Sequence, residues 1–272
     1  MFLVTRKLTF GLFALEPERK LAPALDELCE WIGQELEAEV ACDETTDYQE
    51  LADRLQSGAI DIAWLPPIVL LRAWDSVTPI VSLKRGERGG FETALVVRED
   101  SSIRTVEGLR GMRAAWVDAW SAAGYVIPRL RLRLGGLDPT NLFKEEHFYG
   151  THTAAVRALL DNQADVAGTY TRTNEKGEPI DGPWNEIEGA KVRVLMTFGE
   201  IPSDVIAVTS SVTEDMRAKL ATALEGIGNN PEKSALAKRI FGSSAFGPVA
   251  LDAYDGLRTA VSISEWDDKS KG

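Results

Sequence analysis

The stretch TDYQELADRLQSGAIDIAWLPP runs from Thr46 to Pro67. Its first half reads as a helix: Thr46 with Gln49 three residues on makes a capping-box pattern, and Gly58 supplies the stop. Its second half, AIDIAWL, is a short apolar run closed by Pro66 and Pro67, which is how a buried strand reads. A first helical turn tolerates proline, so PPIVLLRAW continues as a helix. Helix and strand alternate here within one short segment, and that alternation predicts an α/β protein.

The same alternation extends in both directions. Upstream, KLTFGLFAL reads as a strand. KLAPALDELCEWIGQEL places Leu21, Leu25, Leu28, Ile32 and Leu36 on one helical face, and EAEVAC is a second short strand. Downstream, VTPIVSLKR and GFETALVVRED are strands around the loop GERGG. TVEGLRGMRAAWVD gives a short helix and a strand, and SAAGYVIPRLRLRLGG a helix entry ending in Gly-Gly. KEEHFYG, THTAAVRALLDNQ and ADVAGTYT read as strand, helix and strand. NEKGEPIDGPWNEIEGA is polar and rich in turn formers, so a surface loop is expected. KVRVLMTFGEIPSDVIAVTS reads as one long extended run, and TEDMRAKLATALEGIG as a helix with an acidic start.

Two blocks of strand–helix units are thus separated by extended stretches at residues 91–99 and 192–209. They predict two α/β lobes joined by a two-strand hinge. Lobe one would hold residues 1–94 and 207–272, and lobe two, inserted, residues 95–206. Such an architecture traps a small ligand in an inter-lobe cleft and closes by hinge motion.

The net charge of −12 argues against a nucleic-acid surface, and no run of Lys or Arg opposes that. RLRLRL (Arg129, Arg131, Arg133) reads as the outer face of a helix. Cys29 and Cys42 have neither metal spacing nor the number for a disulfide framework. Cys29 is expected to be a small buried group, with a Cys29–Cys42 disulfide as the alternative. Two histidines, His147 and His152, exclude a His-rich metal site, and no cofactor or metal is expected. No apolar run reaches the ~18 residues of a membrane span. The start, MFLVTRKLTFGLFAL, lacks the order of a secretory signal. It predicts a cytoplasmic protein as written, or a periplasmic or lipid-anchored one if a leader has been removed.

Five segments then stand in order: DYQELADRLQSGAIDIAWLPP, VVREDSSIRTVEGLRGMRAAWVD, SAAGYVIPRLRLRLGG, GTHTAAVRALLDNQADVAG and IPSDVIAV. Across most of residues 8–210 they resemble the substrate-binding proteins of phosphonate, phosphite and phosphate ABC importers. The resemblance implies the two-lobed fold of the type II periplasmic binding proteins. It also implies reversible binding of a small anion and an ABC permease as partner. A monomer is expected, with the oligomeric state left open by the sequence. In that family DAWSAAGYVIPRL (Asp118–Leu130) corresponds to a hydroxyl-rich Ser-Thr-Ser-Gly-Tyr at a helix start, where hydroxyls and backbone N–H groups hold the anion. This chain keeps Ser121, Gly124 and Tyr125 but has Ala122 and Ala123 in place of the other hydroxyls. Each hydrogen bond lost to a charged oxygen weakens binding by ~1.5–3 kcal/mol. A carboxylate, or an organic ligand with an aromatic or cationic part, therefore competes with phosphonate as the expected ligand.

The resemblance also places His152 at a helix start facing the ligand, with Thr151 and Thr153 as capping neighbours. Tyr48 matches a family tyrosine and otherwise reads as helix packing. Trp64 and Trp120 are either aromatic walls or half-buried packing, and Pro66 sits beside Trp64. Thr169 and Tyr170 end a strand expected to face the cleft. Asp204 either holds a ligand amine or ends a strand, and Glu16, with Pro17, follows the first strand where a ligand loop is expected.

Two other readings remain. The same fold serves cytoplasmic enzymes, among them chorismate dehydratase-like proteins and a thiamine-pyrimidine synthase; turnover separates these from a receptor. No Ser-His-Asp spacing, paired-carboxylate motif or Cys/His cluster supports the enzyme. A regulator's sensor domain is the third, and it leaves no residues for an output module.

Overall fold

The computed structural model describes residues 6–13, 21–45, 47–84, 91–174, 176–259 and 261. The elements are, in chain order, β1 (Lys7–Phe13), α1 (Ala22–Leu36), β2 (Glu39–Thr45), α2 (Tyr48–Gln56), β3 (Ile62–Leu65), α3 (Pro67–Arg72), β4 (Thr78–Leu83) and β5 (Phe91–Arg98). Then follow β6 (Arg113–Trp116), α4 (Ile127–Leu134), α5 (Pro139–Leu142), β7 (Glu145–Phe148), α6 (His152–Leu160), β8 (Val166–Thr173), β9 (Pro179–Asp181) and β10 (Val192–Glu200). The chain ends with β11 (Val205–Val208), α7 (Glu214–Glu225), α8 (Pro231–Phe241) and β12 (Phe246–Gly247). These form two compact α/β units. One holds the described residues up to Lys84 with Pro202–Tyr254; the other holds the described residues of 91–201 with those after Tyr254.

The first unit is built on a sheet of order β12-β4-β11-β3-β1-β2. β1 runs parallel to β2 and β3, and β11 antiparallel to β3 and β4. All four residues of β3 are buried, as its apolar run demands. Leu25, Leu28, Ile32 and Leu36 of α1 pack with α7 and α8 on Phe10, Ile62, Val81 and Ile206. α2 is capped by Asp47, whose side chain accepts the Glu50 amide at 3.0 Å. Thr46, expected as the cap, lies outside the described residues, and Gln49 instead reaches Asp53 at 2.8 Å. A positive φ of 72° at Gly58 ends the helical segment.

Cys29 is not the free buried thiol the sequence favoured. It forms a disulfide with Cys42, with the two Cα atoms 6.1 Å apart. α1 and β2 are successive elements, and their packing brings an inward helical position against the neighbouring strand; spacing along the chain does not show that.

The second unit has the order β10-β5-β8-β6-β7, with β9 paired to β8. β6 is parallel to β7 and β8, while β5 is antiparallel to β8. The C-terminal ends of β6, β7 and β8 and the N-terminal end of β5 therefore share one edge. Strand alternation divides the side chains. Ala94, Val96, Ala115 and Ala167 pack under Ala155, Val156 and Leu159 of α6. Leu95, Val97, Ala114, Trp116 and Val166 pack under Leu132 of α4.

Three expectations are corrected. The segment 174–190 is not wholly a loop: Pro179–Asp181 adds a strand to β8, and Arg172 binds Asp181 across that pair. The extended run 192–209 is two strands in two different sheets, broken at 201–204. The lobe boundaries expected at 94 and 206 fall inside β5 and β11, each of which pairs within a single sheet.

Candidate functional site

β6 ends at Trp116 and the chain turns at once. The Val117 amide donates to the Gly124 carbonyl at 3.4 Å, and Asp118 Oδ1 accepts the Trp120 amide at 2.7 Å. Ser121 Oγ then accepts the Gly124 amide at 3.0 Å, while its carbonyl accepts the amides of Tyr125 at 3.1 Å and Val126 at 3.0 Å. Ala122–Val126 is thus one wide π-turn feeding α4, not the ordinary helix start expected. Turns of this kind cluster at functional sites. Among the described residues, nothing accepts the amides of Ala122 and Ala123.

Two glycines let this turn lie flat on the sheet. A Cβ at Gly124 would overlap the Val117 side chain. A Cβ at Gly168 in β8 would come 2.8 Å from the Gly124 carbonyl oxygen and 2.6 Å from the Trp116 ring.

The start of α6 is laced to the same loop. Tyr149 donates to the Trp116 carbonyl at 2.9 Å and Gly150 to that of Val117 at 2.8 Å. Thr151 caps α6 by accepting the Ala154 amide at 3.1 Å, and Thr153 donates to Glu186 at 2.8 Å. His152 Nδ1 lies 3.0 Å from the hydroxyl of Thr169, which is fully buried. The His152 ring stands edge-on to Tyr170 at 4.9 Å, and Tyr170 packs on Phe91 at 5.1 Å. Ser121, Ala122, Ala123, Gly124, Thr151, His152, Thr169 and Tyr170 therefore gather at one edge of one sheet. Tyr125 is turned to the packing side, between Trp116 and Phe148, with Arg129 over its ring at 5.0 Å. Arg129 also pairs with Glu146, so the arginines of this helix follow the outer-face reading. Trp120 is half-buried beside Ser121.

The electrostatics of the loop centre on Asp118. Burial pushes its carboxyl above the usual range, and the amides of Trp120 and Ser121 pull it back in part. Among the described residues no cluster of His, Cys, Asp or Glu is suited to a metal ion.

The remaining expected residues belong to the first unit. Tyr48 stacks on Phe13 at 3.7 Å. Trp64 is 7% exposed, edge-on to Phe241 at 5.6 Å, and among the described residues its Nε1 has no hydrogen-bond partner. Pro66 caps α3 in an extended conformation. Asp204 is buried, and its carbonyl accepts the Leu83 amide at 2.9 Å. Glu16 lies outside the described residues.

Sequence reasoning missed Asp118, Phe91, Gly168 and Thr93. Thr93 in β5 is fully buried, and among the described residues its hydroxyl has no partner. The available signal was a threonine at the head of the apolar run ALVV.

Two α/β units of this topology have the fold of the type II periplasmic binding proteins. A family model described as the periplasmic phosphonate substrate-binding protein of ABC transporters matches residues 10–254, and the chain belongs to that family. Its members are substrate-binding proteins, so the receptor reading stands over the lyase alternative. The chain is 23% identical over 242 residues to the phosphonates-binding periplasmic protein of Escherichia coli K12, covering 86% of this chain and 70% of that one. A binding-protein component of an ABC phosphonate transporter from Pseudomonas aeruginosa shares the fold with a TM-score of 0.73, at 19% identity over 98% of this chain and 89% of that one. PhnD1 of Prochlorococcus marinus, solved with methylphosphonate, has a TM-score of 0.71 at 15% identity over 96% and 98% of the two chains. A Xanthomonas citri protein solved with ATP has a TM-score of 0.79 at 18% identity over 95% and 98%.

Proposed function

We propose that this protein is the receptor of an ABC importer and holds a tetrahedral oxyanion, a phosphonate or phosphate, at the Ser121 turn. The observation that carries this reading is the pair of unclaimed amides at Ala122 and Ala123. They sit in a turn capped by Ser121 and are tied through Gly150 to the start of α6, which bears His152. Oriented amides of this kind are ready donors for an anion because their desolvation cost is already met by the fold. The names of the Escherichia coli and Prochlorococcus marinus relatives support the ligand class.

The family and the Cys29–Cys42 disulfide, a bond that persists in oxidising surroundings, support a periplasmic location. No described helix is long and apolar enough to cross a membrane. Its partner is an ABC permease, and it binds ligand as a monomer.

The test is a thermal-shift screen with methylphosphonate, aminoethylphosphonate, phosphate, phosphite, sulfate and small carboxylates. A ligand at a hundred times its Kd adds about 2.7 kcal/mol, which shifts the melting curve visibly. Ser121→Leu should abolish the shift while the ligand-free protein still melts cooperatively. An unchanged shift in that variant sinks the site. The double change Ala122→Thr and Ala123→Ser should tighten phosphate binding. The bound compound should be recovered unchanged; turnover would restore the enzyme reading.

A further inference from the structure

Among the described residues, the second unit has one fully buried hydroxyl without a partner. Thr93 is 0% exposed, and no described residue bonds its Oγ1. A buried hydroxyl without a partner costs roughly 1–3 kcal/mol, so its presence points to a partner beyond the residues packed around it.

Its position says where that partner sits. Thr93 lies directly opposite Tyr170 in the antiparallel pair of β5 and β8, and Leu95 lies opposite Gly168. Side chains alternate along a strand, so Thr93 shares a face with Leu95 and Val97. That face packs with α4 and Trp116. It is also the face covered by the Ser121 turn, because the Gly124 carbonyl lies directly over Gly168. β5 itself contacts the turn. Thr93 thus stands at the end of β5 that meets the C-terminal ends of the parallel strands, on the side from which Ala122 and Ala123 offer amides but no side-chain donors.

We propose that the Thr93 hydroxyl is a ligand-binding group that donates to an oxygen of the bound tetrahedral oxyanion and supplies the side-chain donor that Ala122 and Ala123 lack. The inference rests on the reading of the Ser121 turn as the anion site. It adds a specificity-determining residue from a different strand. A head group with three accepting oxygens then meets the turn amides and the Thr93 hydroxyl. A planar carboxylate, with two oxygens, leaves one donor unmet.

The experiment uses the full chain with Thr93→Val and Thr93→Ser, and reads methylphosphonate and acetate affinity by calorimetry together with the ligand-free melting temperature. Thr93→Val keeps the shape and removes the hydroxyl. It should weaken methylphosphonate binding about ten- to a hundred-fold, as expected for one hydrogen bond to a charged oxygen. Its ligand-free melting temperature should be unchanged or higher, because an unmet buried hydroxyl is gone. Thr93→Ser should bind within about threefold of the parent, and acetate should bind weakly to all three. Equal affinity in Thr93→Val overturns the proposal and leaves the Ser121 site standing; the hydroxyl is then satisfied by water. A lower ligand-free melting temperature in Thr93→Val, or equal weakening in Thr93→Ser, also overturns it by showing a packing role. If the parent chain binds no oxyanion, the proposal and the reading beneath it fall together.

Discussion

Asp118 holds the Trp120 amide at 2.7 Å from inside the loop that precedes the anion turn, and burial raises its carboxyl above the ordinary range. Its oxygen is useful there and its charge is not. A carboxylate opposes a neighbouring anion, and the repulsion grows as the pair is desolvated. Asp118→Asn keeps an acceptor for the Trp120 amide and removes the charge. It should tighten methylphosphonate binding severalfold at pH 7, whereas Asp118→Ala, which loses the acceptor and the loop, should weaken it. Because the folded carboxyl is raised, its charged form opposes folding above the ordinary carboxylate range. Asp118→Asn should therefore not lower the melting temperature at neutral pH. Weaker binding in the asparagine variant would show that the charge itself is needed. Residues of this kind were only partly legible in the sequence. Ser121 and Gly124 carry a local pattern that survives as letters. Thr93 does not, because an unsatisfied hydroxyl is a property of what surrounds it. Trp64 was legible as packing in a buried strand, but its partner was not, since its contact with Phe241 joins distant parts of the chain.

One ion pair ties β6 to β8 at the sheet edge opposite the site, and one close approach seats the turn on the site edge. Arg113 opens β6, and Asp165 immediately precedes β8. The Asp165 carboxylate accepts the Arg113 backbone amide at 2.9 Å and the guanidinium at 2.9 and 3.1 Å. The Arg113 guanidinium holds the Asp165 carboxyl down at about 2. A free aspartate titrates near ~3.9, so the folded state binds this proton less tightly than the unfolded state. The pair's contribution is present above about pH 4 and is lost as pH falls through about 2. Asp165→Asn should lose stability at pH 7 and show a shallower fall in denaturant midpoint between pH 4 and 2. An acid limb equal to the parent's would assign acid unfolding elsewhere. Gly168→Ala tests the close approach. Its Cβ would meet the Gly124 carbonyl and the Trp116 ring. The cost expected is about 1–3 kcal/mol, with anion affinity lost as the turn lifts. Most elements were readable from periodicity and punctuation, since helix faces and proline or glycine stops are local. The run 192–209 was not, because two strands joined by a short break have the same alternation as one. Which sheet each joins is decided by pairing with β5 on one side and with β3 and β4 on the other.

At the scale of the whole chain, each unit buries its own apolar layers, with α1, α7 and α8 over one sheet and α4 and α6 over the other. The single covalent crosslink lies in the first unit. Cys29 and Cys42 are 13 residues apart, and a loop near that length stabilises by about 3 kcal/mol in the chain-entropy account. Reduction should therefore act where the crosslink acts. Amide exchange in α1 and β2 should accelerate markedly in reductant, while amides of β6 and β8 keep their protection because their core contains no part of the bond. Oxyanion should do the reverse, slowing exchange in the Ser121 turn and at the start of α6. The paired Cys29→Ala and Cys42→Ala variant should match the reduced parent. Equal acceleration in both sheets on reduction would mean that the two cores open as one cooperative unit. Ligand would then protect α1 as strongly as it protects the turn.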